Sequence, residues 1–271
     1  MAYADINGAR LWYEIMGKGE PLLLHHGYTA CRENWMPVAE RLQDRYQIIL
    51  MECRGTGDSE DTGDGYNIPQ YSEDVIGLMD HLGIGQLTYA GHSMGGGMGY
   101  WLGVHHPERL TRLILMAPIP SGGTSGVNHE QIDRNLAARL EGNRDYFMQQ
   151  QLAGKFRDDV QTDAWFEHRV DQLMRVTETH IRGGAESMHS LNLESAIEQI
   201  KVPTLMLAGA VDGLLNANLD DFRRLPEATL QVFSWAGHDV AIHEPDGVAE
   251  AIDRFMQHGA FTAATLMNRN G

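Results

Sequence analysis

The feature that most constrains the fold is a series of short, continuous apolar runs, each followed by a stretch with helical periodicity. These runs are "PLLLHHG", "YQIILMEC", "QLTYAGHS", "LTRLILMAP", "PTLMLAGAVDG" and "ATLQVFSWAGHD". Continuous apolar runs are typical of strands that are buried on both faces of a parallel sheet. Because strand and helix alternate along the chain, we expect an α/β fold with a mostly parallel, doubly wound sheet.

A hairpin is predicted ahead of these runs. The segments "YADI" and "ARLWYEIMG" are separated by Asn7 and Gly8. Asn-Gly is a strong hairpin signal, because both residues tolerate a positive φ. The first two strands are therefore expected to be antiparallel.

The alternation of strand and helix stops after Pro118. Residues 119–199 are mostly polar, have helical periodicity and carry no strand signal, and the alternation then resumes. We expect a core made of residues 1–118 and 200–271, interrupted by an inserted helical cap at 119–199. The last stretch, "AFTAATLMNRNG", has no clear pattern and is expected to be loosely ordered.

The charge balance limits the possible partners. Among 271 residues, 37 are acidic and 21 are basic, which gives a formal charge of −16. This balance argues against nucleic acid or an anionic membrane as a partner. Without a secretory signal at the start or a run long enough to span a bilayer, a cytoplasmic protein is expected, and the oligomeric state stays open. Cys31 and Cys53 are expected to be reduced thiols.

Ser93 lies in an unusual concentration of glycines, "AGHSMGGGMG". Gly91 and Gly95 flank it with the G-x-S-x-G spacing, at the predicted junction of a buried strand and a helix. This context is typical of a nucleophile elbow, in which a sharp turn exposes the serine hydroxyl at the end of the sheet. Gly96, Gly97 and Gly99 are expected to let the helix pack closely on the sheet.

A serine nucleophile needs a base, and the base needs an orienting acid. His238 follows the last predicted strand in "SWAGHD", and Asp212 follows the preceding strand in "LMLAGAVDG". His243 is the nearby rival, expected at the surface at the start of the closing helix. As alternative acids, Asp220 and Asp221 belong to the next helix and are expected to face solvent, and the loop after "LILMAP" has no acid before Glu130.

With these motifs in this order, the chain resembles the α/β-hydrolase fold family, and in particular its serine carboxylesterase and lipase-like branch. The likeness extends from the hairpin to about His258 through "HHGYTA", "GHSMGG", "GAVDG" and "GHD". The resemblance implies that the backbone N–H groups of Tyr28 and Met94 form an oxyanion hole. The loop "ECRGTGDS" departs from the family pattern, which usually has aspartate before Arg-Gly-x-Gly-x-Ser. We interpret residues 54–59 as scaffold.

Acyl transfer to water is the predicted chemistry, with a small-molecule ester or lactone as substrate and neither a cofactor nor a metal required. A serine at position 93 disfavours haloalkane dehalogenases and epoxide hydrolases, which use aspartate there. The "HGYTA" loop also lacks the Gly-Pro-Gly pattern of carbon–carbon bond hydrolases. Alternatives are a hydroxynitrile lyase, a cofactor-free haloperoxidase or perhydrolase, a carbon–carbon bond hydrolase, or a binding protein that hydrolyses its ligand slowly.

The cap is expected to cover the site, supply the substrate pocket and exclude water. Helical spacing also allows most of its large side chains to pack in the cap's own interior. The candidate lining residues are Phe147, Met148, Trp165, Phe166, Met174 and Met188.

Overall fold

Within residues 1–268, which the computed structural model of the protein describes, eight strands form one sheet. The strands are β1 (Ala2–Ile6), β2 (Ala9–Met16), β3 (Pro21–His25), β4 (Gln47–Met51), β5 (Leu87–His92), β6 (Leu110–Met116), β7 (Thr204–Gly209) and β8 (Ala228–Phe233). The α-helices are α1 (Met36–Leu42), α2 (Ile68–His81), α3 (Met94–His105), α4 (His129–Leu140), α5 (Arg144–Ala153), α6 (Asp163–Arg175), α7 (Glu178–Ser190), α8 (Leu215–Arg224), α9 (Val240–His243), α10 (Pro245–His258) and α11 (Ala263–Asn268). Short 3₁₀ turns lie at Arg32–Asn34, Pro107–Arg109 and Ile197–Gln199.

The strand order in the sheet is β1-β2-β4-β3-β5-β6-β7-β8. Strand β2 pairs antiparallel with both β1 and β4. Every other pairing, from β4 through β3, β5, β6 and β7 to β8, is parallel. The predicted hairpin is confirmed, with Ile6 opposite Ala9 and positive φ angles of 48° at Asn7 and 77° at Gly8. The order along the sheet reverses around β3, so helices cover both faces, as the doubly wound pattern predicts.

Burial of both faces explains why the strands are apolar at consecutive positions. In β3, Leu23 packs in one hydrophobic cluster, whereas Leu22 and Leu24 pack in the cluster on the opposite face. The first cluster includes side chains of α2 and α3, and the second includes side chains of α1 and α10. The core therefore consists of two layers separated by the sheet.

Four helices, α4 to α7, lie between β6 and β7 along the chain. Each is preceded by an N-cap Asn or Thr whose side chain accepts a backbone N–H three residues later, which satisfies an otherwise unpaired donor of the first turn. These residues are Asn128, Asn143, Thr162 and Thr177. The helices have small interior clusters of their own, one around Leu136 and one around Phe147. The helical content of 119–199 agrees with the prediction, and the exact division at 118 and 200 stays a prediction.

Two features of the structure differ from what the sequence predicts. The short helix α9 was not predicted, and the expected loose tail contains helix α11. The last part of that tail, 269–271, lies outside the described residues. In the part of the chain that the structure describes, no helix has the length and apolar character needed to cross a bilayer.

Residues 54–59 follow β4 and link several elements. Arg54 forms an ion pair with Asp74 of α2 at 2.8 Å, and both side chains are buried. Ser59 accepts a hydrogen bond from the backbone N–H of Trp12 in β2 at 2.9 Å. These contacts agree with the predicted scaffold role.

Candidate active site

Ser93 occupies the single residue between β5 and α3. Its φ of 55° and ψ of −113° place a non-glycine residue in a strained backbone conformation. The turn is held by hydrogen bonds from the Ser93 N–H to the carbonyl of Met116 at 3.0 Å and from the Ile119 N–H to the carbonyl of Ser93 at 3.1 Å. The strained turn is therefore held by the last residue of β6 and by Ile119 in the segment that follows it.

Close backbone approach explains the glycines on either side. A Cβ at Gly91 would lie 2.0 Å from the carbonyl oxygen of Gly95, and a Cβ at Gly95 would lie 2.7 Å from that of His26. The other three glycines face side chains or backbone within 3 Å of an added Cβ, in agreement with the predicted close packing; they are Gly96, Gly97 and Gly99. The glycines thus allow the loop after β3 and the first turn of α3 to converge on Ser93.

The three residues predicted from the sequence are brought together at the carboxyl ends of β5, β7 and β8. The Oγ of Ser93 lies 2.9 Å from Nε2 of His238. Nδ1 of His238 lies 2.9 Å from Oδ2 of Asp212. The other carboxylate oxygen of Asp212 accepts the N–H of Leu214 at 3.0 Å. The carboxylate is therefore oriented, and the imidazole connects it to the serine hydroxyl.

The electrostatics of this group favour an ionised acid and a basic imidazole. Burial raises the pKa of Asp212, but the hydrogen bond and charge of His238 outweigh it and hold the pKa below the ordinary value. Burial lowers the pKa of His238, but Asp212 and Asp239 outweigh it and hold the pKa above the ordinary value. The Asp212 side chain is 4% exposed, so the pair is shielded from solvent on the acid side.

His92 adds a contact that the sequence reasoning missed. Its Nε2–H donates to the backbone carbonyl of His238 at 2.9 Å, and the two rings have centroids 4.9 Å apart. Burial lowers the pKa of His92 to about 4, so the ring is neutral at physiological pH. The only available signal was its place directly before Ser93 in "GHS".

The loop after β3 lies against Ser93. A Cβ at Gly27 would lie 2.9 Å from Cβ of Ser93, and Tyr28 is the next residue. His26 holds this loop, because its Nδ1–H donates to the carbonyl of Gly27 at 2.8 Å while its Nε2 accepts the N–H of Cys53 at 3.0 Å. Met94 is the first residue of α3, where an N–H has no acceptor in its own helix. Both predicted oxyanion donors are thus on segments next to Ser93, and their role stays a prediction.

The sequence model described as the alpha/beta hydrolase fold matches residues 20–245. This span contains Ser93, Asp212 and His238. The chain belongs to the α/β hydrolase family. The resemblance stated from the motifs is confirmed, and so is the fold class.

Individual relatives of this α/β hydrolase have different named activities. The 3-oxoadipate enol-lactonase 2 of Acinetobacter baylyi is 27% identical over 241 residues, which are 82% of this chain and 83% of that protein. A non-heme haloperoxidase of Rhodococcus erythropolis is 23% identical over 268 residues, 93% of this chain and 97% of that protein. The crystal structure of the enol-lactonase of Burkholderia xenovorans superposes with a TM-score of 0.84 at 24% identity, covering 95% of this chain and 100% of that one. The structural likeness shows the fold alone.

The structure corrects two expectations about rival residues of the hydrolase. His243 is 3% exposed rather than at the surface; its Nδ1 accepts the N–H of Gly237 at 3.3 Å, so the ring supports the loop that carries His238. Asp221 is 5% exposed rather than solvent-facing; it accepts hydrogen bonds from Ser121 and from Tyr100. Asp220 is exposed, as expected, and pairs with Arg223.

The candidate lining residues of the cap divide into three groups. Phe147 and Met188 line a cavity of about 400 Å³, which also touches Tyr28. Trp165 and Met174 line smaller cavities elsewhere. The remaining two pack within the cap, where Phe166 is 1% exposed and Met148 contacts the cluster around Phe147.

Two groups of side chains in the described residues have ligand atoms close enough for a metal ion. One is His25, His26 and Cys53; the other is Cys31, Glu33 and Glu52. In the first, both ring nitrogens of His26 are already hydrogen-bonded, and burial raises the pKa of the Cys53 thiol. In the second, the thiol of Cys31 donates to Glu33 at 2.8 Å, and Arg32 pairs with Glu52 at 3.1 Å. In both groups, potential metal-ligand atoms are therefore already engaged in hydrogen bonds or ion pairs with other protein groups. Both cysteines are buried and free, as expected.

Proposed function

We propose that this α/β hydrolase cleaves a carboxylic ester or lactone through an acyl-enzyme on Ser93, with His238 as the base and Asp212 as its orienting acid. The observation that carries the proposal is the continuous hydrogen-bonded connection of Ser93 to His238 at 2.9 Å and of His238 to Asp212 at 2.9 Å. A serine hydroxyl linked in this way is activated by transfer of its proton to the imidazole.

The first half of the reaction forms the acyl-enzyme. With Nδ1–H donated to Asp212, the free Nε2 of His238 accepts the proton of Ser93 as Oγ attacks the carbonyl carbon. The negative charge that develops on the carbonyl oxygen is stabilised by the N–H groups of Tyr28 and Met94, and by the N-terminus of α3. His238 then returns its proton to the leaving alkoxide, and the carbon–oxygen bond breaks.

The second half releases the acid. A water molecule loses a proton to Nε2 of His238 and attacks the acyl carbon, and collapse of the second tetrahedral intermediate returns the proton to Oγ of Ser93. From an ester the products are an acid and an alcohol. From a lactone the leaving alkoxide stays attached to the acyl group, so the product is a single hydroxy acid.

The surroundings of the three residues support this mechanism. The strained turn places Ser93 at the start of α3, and the residue is 7% exposed rather than open to solvent as the sequence predicted, with Oγ against Nε2 of His238. The carbonyl of His238 is held by the neutral ring of His92, which limits movement of the histidine loop. The relative named as an enol-lactonase supports a lactone among the substrates to be tested first.

The relative named as a haloperoxidase favours perhydrolysis as a second candidate reaction. In that reaction hydrogen peroxide replaces water in attacking the same acyl-enzyme, so that acetate and peroxide give peracetate and water. The two functions share Ser93 and differ in the second nucleophile. A panel that compares ester hydrolysis with peracid formation from acetate and peroxide separates them.

The test of the proposed function is the Ser93→Ala variant on p-nitrophenyl esters and on simple lactones. We expect turnover to fall by a factor on the order of 10⁶, as for removal of the nucleophile in a comparable enzyme. The matched control is Ser234→Ala, a serine in an exposed position after β8. Near-normal activity of the Ser93→Ala protein would remove the basis for the proposal. Peracid formation faster than hydrolysis would favour the second candidate.

A further inference from the structure

The cavity of about 400 Å³ lies between the loop after β3 and the helices of the cap. It reaches the candidate site at Tyr28 and Thr29, and Ser93 itself is not among its lining residues. Its volume is in the range of small-molecule sites. To reach this cavity, a substrate whose carbonyl lies at Ser93 must pass Tyr28 and Thr29 of the loop after β3.

The charge of the cavity is opposite to that of the protein. Arg139 of α4 and Arg169 of α6 line it, and no aspartate or glutamate does so among the described residues. The whole chain has a formal charge of −16. The cavity therefore presents two guanidinium groups and no lining carboxylate within a chain of strongly negative formal charge.

Arg169 is the guanidinium nearer to the reaction centre. It donates to the carbonyl of Thr29 at 2.7 Å and to the hydroxyl of Thr29 at 3.3 Å, which holds a residue with a positive φ of 55°. Its charge opposes part of the net rise in the pKa of His238. In the described part of the chain no carboxylate lies within ion-pair distance of Arg169. Asp239 is the acidic group whose charge acts on it from farther away.

Arg139 has a donor that no protein group uses. Its Nη1 atom is buried and has no hydrogen-bond partner in residues 1–268. Burial lowers the pKa of this guanidinium, and the charge of Glu178 offsets only part of the effect. A buried cationic donor without an acceptor is costly, so an acceptor supplied by a ligand would stabilise it.

The rest of the lining suits a short aliphatic chain. Ile132, Phe147 and Leu173 provide apolar contact, and Gln131 and Asn135 provide amides. A planar carboxylate matches the fork of N–H donors that a guanidinium presents. The lining therefore combines a place for methylene groups with donors for one anionic end.

We propose that this cavity binds a carboxylate of the substrate, so that the preferred substrates are esters or lactones derived from dicarboxylic acids. Arg139 binds the carboxylate, and Arg169 contributes positive charge between it and the reacting carbonyl. This inference rests on the proposed function for the reaction itself, but the anion-binding cavity can also be tested without turnover.

The turnover test compares two esters of the same shape, the mono-p-nitrophenyl ester of adipic acid and p-nitrophenyl 6-methylheptanoate, in which an isopropyl group replaces the carboxylate. We expect the wild-type protein to have the higher kcat/KM for the adipate ester. Arg139→Gln should lower the ratio of the two kcat/KM values by roughly 10- to 100-fold, the range for one hydrogen bond to a charged group. Arg139→Lys should restore part of the ratio. The control is Arg134→Gln on the same helix, where Arg134 is paired with Glu130 on the surface.

Failure of this inference can be told from failure of the proposed function. If Ser93-dependent hydrolysis occurs but the wild-type protein has no preference for the adipate ester, the carboxylate site is overturned and the hydrolase proposal stands. If Arg139→Gln lowers kcat/KM equally for both esters, the carboxylate site is likewise overturned and the hydrolase proposal stands. If neither ester is hydrolysed, calorimetry of adipate with the Ser93→Ala protein decides: binding that is lost in Ser93→Ala/Arg139→Gln supports the site, and absence of binding overturns it.

Discussion

Replacing Asp212 with asparagine is expected to trap His238 in the wrong tautomer. The two carboxylate oxygens have different partners, because Oδ1 accepts the N–H of Leu214 at 3.0 Å and Oδ2 accepts Nδ1–H of His238 at 2.9 Å. In Asp212→Asn the amide oxygen must take the place next to Leu214, since an NH₂ group cannot accept a hydrogen bond. The NH₂ group then faces His238, and Nδ1 of the imidazole must become the acceptor.

The expected size of the effect follows from this change. With the proton on Nε2, His238 cannot take the proton of Ser93, although the two atoms stay 2.9 Å apart. The same substitution in a Ser-His-Asp protease lowers kcat about 10⁴-fold without disturbing the geometry. At about 1.36 kcal/mol for each tenfold change, this corresponds to roughly 5 kcal/mol of transition-state stabilisation. We expect a kcat about 10⁴-fold lower here, with little change in KM.

The assay is steady-state hydrolysis of p-nitrophenyl butyrate, together with thermal unfolding of each protein. Asp220→Asn is the matched control, since Asp220 is exposed on α8 and its substitution should leave kcat and the melting temperature unchanged. A loss smaller than about tenfold in Asp212→Asn, with an unchanged melting temperature, would refute the argument from the tautomer. The acid would then have to be assigned to another residue.

Two further outcomes are expected. Hydrolysis should increase as pH rises through the pKa of His238, because the base must be neutral. Burial lowers that pKa, but Asp212 and Asp239 together raise it by more, so a midpoint of kcat/KM below the ordinary histidine value would contradict the electrostatics. Arg54→Met should lower the free energy of unfolding by about 3–5 kcal/mol in urea titrations, because it leaves the buried carboxylate of Asp74 without a countercharge. Arg41→Met, which breaks a pair at the surface, should cost at most about 1 kcal/mol, and equal losses in the two variants would contradict the argument from burial.

The fold and the placement of the three main site residues were predictable because they follow from local pattern and topology. Loops after successive parallel strands meet at one edge of a sheet, so Ser93 after β5, Asp212 after β7 and His238 after β8 had to lie near one another. The glycines around Ser93 mark close backbone approach, and this signal is readable in a single sequence.

What the sequence did not reveal depends on tertiary contacts. Asp221 and His243 have polar side chains in helices, and nothing in their spacing shows that Ser121 or the loop at Gly237 covers them. Likewise Arg139 and Arg169 look like ordinary surface arginines of amphipathic helices. Only the packing of the cap shows that Arg139 has a buried donor without a partner among the described residues and that Arg169 contacts Thr29 in the loop after β3.

Reaction with diethyl p-nitrophenyl phosphate, followed by peptide mass mapping, reports which side chain is the nucleophile. An activated serine attacks the phosphorus and releases p-nitrophenol, and the product cannot turn over quickly. We expect one equivalent of p-nitrophenol, a diethylphosphoryl group on Ser93 and loss of esterase activity in proportion to labelling. Complete loss of activity with Ser93 unmodified, or a label on a different residue, would show that the hydroxyl hydrogen-bonded to His238 does not perform the reaction.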